Sequence, residues 1–346
     1  MIRVLIVDDS LATRSAVSRA LSREMDLEVL RPASSGAVAI ERTIKESPDV
    51  VVLDVDMPGI DGLEVLDELC IRKPGLPVIM FSGLTERGAE ITLDALARGA
   101  TDVLAKPADG GDVAETMALL ARKVRELGSG RERREARARP RRGSQTVEAV
   151  VVGVSTGGPN AMADLLPRFR GDLAAPILVV QHMPPVFTRQ FAERLDRRSA
   201  LRVREAQHGD VVAAGDVWIA PGDRHMSIER RGTEVVIELS DGPEENSCRP
   251  AVDVLFRSAA ACYGDGALGV VLTGMGQDGF CGSQSLVAAG AQVIAQDEET
   301  SVVWGMPGAV VRGGLAARVL PLPMIAGEIE RRVRCGHPPQ SQEVSR

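Results

Sequence analysis

Three polar residues stand just past aliphatic runs in the second half of the chain. Ser155 follows VEAVVVGV, His182 follows PILVVQ, and Asp278 lies in GMGQDG after LGVVLT. A serine hydroxyl beside an imidazole can act as a nucleophile. A carboxylate on one ring nitrogen fixes the tautomer, leaving the other nitrogen free to accept the serine proton. The string Gly153-Val154-Ser155-Thr156-Gly157 also fits GxSxG, the strand-to-helix elbow that exposes such a serine. That pattern is weak alone, because small residues after a parallel strand also build phosphate loops; the stretch around Ser155 has neither the P-loop Gly-Lys-Ser/Thr ending nor GxGxxG spacing. His182 taken singly reads as a hydrogen-bonded structural residue, and Asp278 taken singly reads equally well as the cap of the helix after it. His208, His225 and His337 lie in turn-like or tail contexts. The order Ser, His, Asp differs from the Ser, Asp/Glu, His order of α/β-hydrolases, so GxSxG does not place the chain in that fold.

A second set of chemical residues lies near the N-terminus. Asp8 and Asp9 directly follow RVLIV, and Asp54 ends VVL before the turn DVDMPG. Ser82 ends VIMFS, and Lys106 ends a further run before Pro107. Three converging carboxylates repel one another unless a divalent cation sits among them, and oxygen-only ligands with room for waters suit Mg²⁺. A carboxylate beside Mg²⁺ can attack phosphorus, and a hydroxyl and an ammonium nearby can bind phosphoryl oxygens. One Asp alone reads as a cap or turn residue; five suitable residues on the ends of four strands outweigh that reading.

These residues need strands to carry them. The first flank predicts strands at Val4 to Val7, Leu27 to Leu30, Val50 to Leu53, Val78 to Phe81 and Val103 to Ala105, with helices between. The second predicts strands at Ala149 to Val154, Pro176 to Val180, Gly269 to Thr273 and Gln292 to Ala295. Short aliphatic runs alternating with helical patterns specify α/β architecture with parallel sheets covered on both faces. The expected fold is therefore two doubly wound domains: a five-stranded parallel flavodoxin-like unit and a larger, mostly parallel unit. The stretch Leu201 to Leu239 alternates and turns like hairpins, and predicts an antiparallel extension of the second sheet. In such sheets, residues past the carboxyl ends of neighbouring strands meet in one crevice.

The boundary is marked by GSGRERREARARPRRGS, which holds seven Arg, two Glu and no large apolar residue. Such a segment cannot bury enough surface to offset its ordering entropy and reads as an exposed linker. The expected domains are 1–127, a linker at 128–144, a second domain at 145–335 and a polar tail at 336–346.

Composition excludes several functions. Of 346 residues, 44% are hydrophobic and 26% charged, close to a soluble globular average. Aromatics at 3% leave little for base stacking, and a net charge of −7 gives no electrostatic case for nucleic acid. No apolar run approaches the ~18–20 residues of a membrane span. MIRVLIVDDS does not read as a secretory signal. Five cysteines without CxxC spacing read as reduced thiols of a cytoplasmic protein.

VDDS, LDVDMPGIDGLEVL, FSGLT and AKPAD resemble the receiver domain of two-component response regulators across nearly all of 1–127. The resemblance implies that Asp54 accepts a phosphoryl group from a histidine kinase. It also implies that Asp8, Asp9, Asp54 and the backbone carbonyl of Asp56 hold Mg²⁺, with Ser82 as switch hydroxyl and Lys106 as phosphoryl-sensing lysine. Receivers often carry an aromatic switch residue where this chain has Val103. GVSTGGP, VVQHMP and LTGMGQDG resemble the effector domain of the chemotaxis protein-glutamate methylesterases over about Thr146 to Arg334.

That second resemblance implies Ser155 as nucleophile, His182 as general base and then acid, and Asp278 as its orienting partner. Backbone N–H groups near Thr156 or Met275 would form the oxyanion hole, and the effector would need no cofactor. The substrates would be glutamate γ-methyl esters of chemoreceptor helices, with glutamine deamidation as a second activity, and an unphosphorylated receiver would cover the esterase cleft. Two other classes remain open on residues alone. One is a catalytically silent receptor-docking module, against which the Ser, His and Asp set argues. The other is a DNA-binding output, against which the acidic, strand-rich second flank argues.

Overall fold

Runs such as VLIV, VVVL and VVVGV are apolar at every position, so their strands must be covered on both faces. The computed structural model describes residues 1–83, 86–107, 112–129 and 147–334. The chain divides into two compact units, Met1–Arg134 and Glu135–Arg346.

The first unit runs β1 (Ile2–Val7), α1 (Leu11–Leu21), β2 (Leu27–Val29), α2 (Gly36–Glu46), β3 (Val50–Asp54), α3 (Gly62–Arg72), β4 (Val78–Ser82), α4 (Glu86–Arg98), β5 (Asp102–Ala105) and α5 (Val113–Gly128). Its sheet is wholly parallel in the order β2-β1-β3-β4-β5. Val4, Ile6, Val52 and Ile79 pack beneath Val17, Leu21, Leu120 and Val124 of α1 and α5. Local signals set the helix starts. Ser10 caps α1, Asp61 and Glu64 form a capping box on α3, and Asp112 caps α5. The order reverses between β1 and β3, which places Asp8, Asp9 and Asp54 at one crevice.

The second unit runs β6 (Ala149–Val154), α6 (Gly158–Leu165), β7 (Ile177–Gln181), α7 (Pro185–Asp196), β8 (Arg202–Glu205), β9 (Asp216–Ile219), β10 (His225–Arg231), β11 (Glu234–Ser240), α8 (Val252–Tyr263), β12 (Ala267–Val271), α9 (Phe280–Ala288), β13 (Gln292–Gln296), α10 (Met306–Arg312), β14 (Arg318–Leu320) and α11 (Leu322–Arg334). Seven parallel strands form one sheet in the order β14-β13-β12-β6-β7-β9-β8. The chain winds outward in one direction from β6 and in the other from β12. The crevice between those two strands is therefore the switch point.

The structure revises three details of the sequence reading. The hairpin β10–β11 is present, but as a separate antiparallel sheet rather than an extension of the large one. The sheet is extended instead by β9 and β8, which are parallel to it. Their connection is zipped onto β11 through Gly209 N–H to Ile237 O and Val212 N–H to Val235 O, which gives the segment its hairpin texture. The strand expected to reach Thr273 ends at Val271, because the Thr273 N–H is taken by the Gln296 side chain at 2.8 Å. The short strand β14 carried no period long enough to read.

The Arg-rich linker and the polar tail fall almost wholly outside the described residues. Gly128 closes α5, where an added Cβ would lie 2.2 Å from the Ile2 side chain, so the first linker residue belongs to the packed helix.

Candidate functional site

In the first unit, Asp8 and Asp54 are buried and Asp9 is exposed. Their carboxylate oxygens lie within 4.8 Å of one another. Lys106 reaches in from the end of β5, with Nζ 2.9 Å from Asp8 Oδ2 and 2.8 Å from Asp54 Oδ1. Burial pushes the Asp54 carboxyl up, and the Lys106 ammonium and the Asp56 N–H only partly offset it. Lys106 is itself held above its ordinary value: burial opposes the charge, but the two aspartates outweigh it. Arg14 pins the turn by donating to the carbonyls of Asp8 at 2.6 Å and Asp9 at 2.7 Å. Ser82 is buried at the end of β4, and Asp56 is exposed just past β3. Gly62 lets α3 start against this crevice, since a Cβ there would meet Asp54 O at 2.3 Å. Three clustered carboxylates, hard oxygen donors only, fit a divalent cation such as Mg²⁺.

In the second unit, Ser155 and His182 follow paired strands. Val154 is in register with Gln181, and the His182 N–H donates to Val154 O at 3.1 Å. The Ser155 N–H donates to Thr273 O at 3.0 Å, which ties the serine turn to the segment just past β12 as well. Gln181 donates from Nε2 to Ser155 O at 3.0 Å and to His182 O at 3.1 Å, clamping both turns together. Gly274 comes so close that a Cβ would lie 2.9 Å from Ser155 Cβ. Only glycine permits that approach. Thr156 is buried and its carbonyl accepts from Thr273 Oγ1 at 2.9 Å; Met275 is half-buried in the loop after β12.

His182 Nε2 lies 2.8 Å from Asp278 Oδ2. Asp278 also accepts from the N–H groups of Val252 (2.6 Å), Asp253 (3.0 Å) and Gly279 (2.9 Å), and from Asn246 Nδ2 (3.1 Å). The carboxylate therefore does cap a helix, but it is α8, not the α9 that follows it in sequence, and it orients the histidine at the same time. Burial raises the Asp278 carboxyl, yet His182 and the α8 amides outweigh it and leave the pKa lowered.

The other ring nitrogen differs from the expectation. Nδ1 faces Cys248 Sγ at 3.6 Å, and among the described residues no hydrogen bond joins the Ser155 hydroxyl to the ring. Burial disfavours the imidazolium, but the Cys248 sulfur and Asp278 hold the His182 pKa above its ordinary value. An imidazolium cannot accept a proton, so activity that uses His182 as a base is lost as pH falls through this raised pKa. The ascending limb of the rate–pH profile is expected above the ordinary imidazole value of 6.5. Cys248→Ala, assayed with chelator present, is expected to move that limb to lower pH; an unmoved limb would show that the sulfur does not tune the ring.

Sequence reading missed Asn246, Cys248, Asp253 and Gln181. Asn246 bridges Asp253 Oδ2 at 3.0 Å and Asp278 Oδ1 at 3.1 Å from a left-handed backbone conformation (φ 54°). Nothing in the local string ENSCRP announces that link, which forms only when the segment before α8 folds back over the crevice.

Comparison with known proteins agrees with both halves. Residues 4–118 match the family model for the response regulator receiver domain, and residues 150–329 match that for CheB methylesterase. A protein-glutamate methylesterase/protein-glutamine glutaminase from Trichodesmium erythraeum is 45% identical over 347 residues, covering 96% of this chain and 99% of that protein. Another, from Caulobacter vibrioides, is 46% identical over 346 residues, with coverage of 96% and 99%. The crystal structure of the Thermotoga maritima CheB methylesterase catalytic domain is 42% identical with a TM-score of 0.53, covering 54% of this chain and 98% of that one.

Fold and crevices together define a response-regulator receiver joined to a parallel-sheet α/β catalytic domain. The chain belongs to the CheB family of protein-glutamate methylesterases/protein-glutamine glutaminases. Among the described residues, no helix is long and apolar enough to cross a membrane.

Proposed function

We propose that this chain is a phosphorylation-activated esterase that removes methyl groups from glutamate γ-methyl esters of chemoreceptor helices in the cytoplasm. The observation that carries the reading is the 2.8 Å His182–Asp278 pair beside Ser155 at the switch-point crevice of the large sheet. Ser155 Oγ attacks the ester carbonyl while His182 Nδ1 takes the hydroxyl proton. His182 then gives that proton to the leaving methoxide, and methanol departs. Water, deprotonated by the same nitrogen, cleaves the acyl-enzyme to glutamate and free serine. Asp278 stabilises the imidazolium formed in each step, and N–H groups near Thr156 or Met275 meet the developing oxyanion. On a glutamine side chain the same steps release ammonia, more slowly because an amide is less electrophilic. No cofactor is called for in this unit.

In the receiver, Asp54 takes the phosphoryl group from a histidine kinase, and Asp8, Asp9, Asp54 and the Asp56 backbone carbonyl would hold Mg²⁺. The cation, when bound, screens the charge between aspartate and phosphate. Ser82 and Lys106 then bind phosphoryl oxygens.

The test is release of labelled methanol from methyl-labelled receptor membranes, with and without a small-molecule phosphodonor. Release that depends on Ser155 and rises with the donor supports the reading; receptor binding without release makes the chain a docking module instead.

Every candidate esterase residue lies within 147–334, so no catalytic part is expected from the receiver. A homologous catalytic domain has been crystallised on its own. Phosphorylation adds ~1.5–2 negative charges, enough to shift a packed contact between two arrangements. Deleting 1–127 is therefore expected to give an enzyme faster than the unphosphorylated parent and blind to phosphodonor. A folded deletion variant slower than that parent would mean that the receiver activates rather than inhibits.

A further inference from the structure

The sulfur beside the catalytic histidine takes no part in the bond-making and bond-breaking steps of ester hydrolysis. Cys248 lies on the loop before α8, half-buried, with Sγ 3.6 Å from His182 Nδ1. The His182 ring is held from its other side by Asp278 at Nε2, and Asp278 is fixed in turn by three backbone amides and Asn246. With the Nε2 proton committed to Asp278, the Nδ1 lone pair points toward the sulfur. Imidazole nitrogen and thiolate are the donors that borderline-soft cations prefer. The spacing also fits. A tetrahedral zinc ion with Zn–N of about 2.0–2.1 Å and Zn–S of about 2.3 Å holds its nitrogen and sulfur about 3.5 Å apart. A carboxylate hydrogen-bonded to the far nitrogen of a ligating histidine is the usual outer support of such sites. Among the described residues, the other free cysteines, Cys70, Cys262 and Cys281, take part in no such cluster of metal-ligating side chains.

We propose that His182 Nδ1 and Cys248 Sγ form a chelating site for Zn²⁺ or a cation of like softness, and that occupancy switches the esterase off. Binding releases the thiol proton, and the Nδ1 proton as well where the ring is charged, and the metal takes the lone pair that Ser155 needs for its own proton. The receiver crevice, all oxygen donors, is no rival for a sulfur-seeking ion. The inhibitory effect rests on the esterase reading above; the metal site itself does not.

The full-length protein, with Mg²⁺ in excess to fill the receiver, is titrated with Co²⁺ alone and in parallel with Zn²⁺ alone. Cobalt is expected to give a thiolate-to-metal charge-transfer band that persists in Cys281→Ser and vanishes in Cys248→Ser. Zinc is expected to shield one thiol from a chromogenic thiol reagent and to inhibit methanol release. Outer partners of metal-binding histidines are worth about 10- to 100-fold in affinity, so loss of an inner ligand should raise the half-inhibiting zinc concentration at least that far. Each variant is measured against its own metal-free rate. His182→Gln, which offers no ring nitrogen, should lose the cobalt band as Cys248→Ser does. Absence of the band from the parent, or its survival in Cys248→Ser, overturns the site. Zinc inhibition equal in parent and Cys248→Ser overturns the switch. An inactive esterase that still shows the Cys248-dependent band would count against the proposed reaction, not against the metal site.

Discussion

Ser155→Ala is expected to lower methanol release by about 10⁴- to 10⁶-fold, the loss seen when a triad nucleophile is removed, while leaving the unfolding temperature nearly unchanged. The two halves of that expectation have separate grounds. Ser155 is buried at the switch-point crevice, next to the histidine–aspartate pair. Its backbone does the structural work: the N–H donates to Thr273 O, and the carbonyl accepts from the Gly158 N–H at 2.7 Å and from Gln181 Nε2. All three bonds survive truncation to alanine. The hydroxyl makes no hydrogen bond among the described residues, so its removal strands no buried partner. Residual turnover within about tenfold of the parent would assign the nucleophile elsewhere.

Most of the two sheets was legible because their strands are covered on both faces and so read as unbroken apolar runs. The polar residue that ends each run then stands out, which makes Ser155, His182, Asp8, Asp54 and Lys106 legible in the sequence. What stayed hidden has a common physical cause. Edge strands such as β8 and β14 bury few side chains and carry little pattern; in β8 only Val203 is fully buried. The residues that hold the site from outside act through contacts distant in sequence. Asn246 reaches Asp278 across 32 positions, and Cys248 reaches His182 across 66. A polar or sulfur side chain on a loop gives no sign of which crevice the loop will cover. The sequence around Asp278 allows both a cap and a triad member, because each is a local possibility. The structure shows a carboxylate with oxygens enough for both tasks, capping a helix that lies earlier in the chain.

That double duty separates two substitutions that a simple triad would make nearly equivalent. His182→Ala is expected to lower turnover by about 10⁶-fold, as loss of the base does in other triads. It should spare stability, because Asp278 keeps its amide donors from Val252, Asp253 and Gly279. Asp278→Asn is expected to cost less in rate, about 10⁴-fold, since the side chain can still hold part of the geometry while favouring the wrong imidazole tautomer. It should cost more in stability. Oδ2 accepts from His182 and Val252, and Oδ1 accepts from Asp253, Gly279 and Asn246, so every partner of the carboxylate is a donor. An asparagine must turn its NH₂ toward one of those sets. At least one buried backbone amide of the α8 start then loses its acceptor, at about 1–3 kcal/mol for each group left unsatisfied. Rate and thermal unfolding measured on both variants should therefore diverge in opposite senses, His182→Ala slower but stable, Asp278→Asn faster but less stable. If Asp278→Asn left the rate unchanged while lowering the unfolding temperature, the carboxylate would be a helix cap and nothing more.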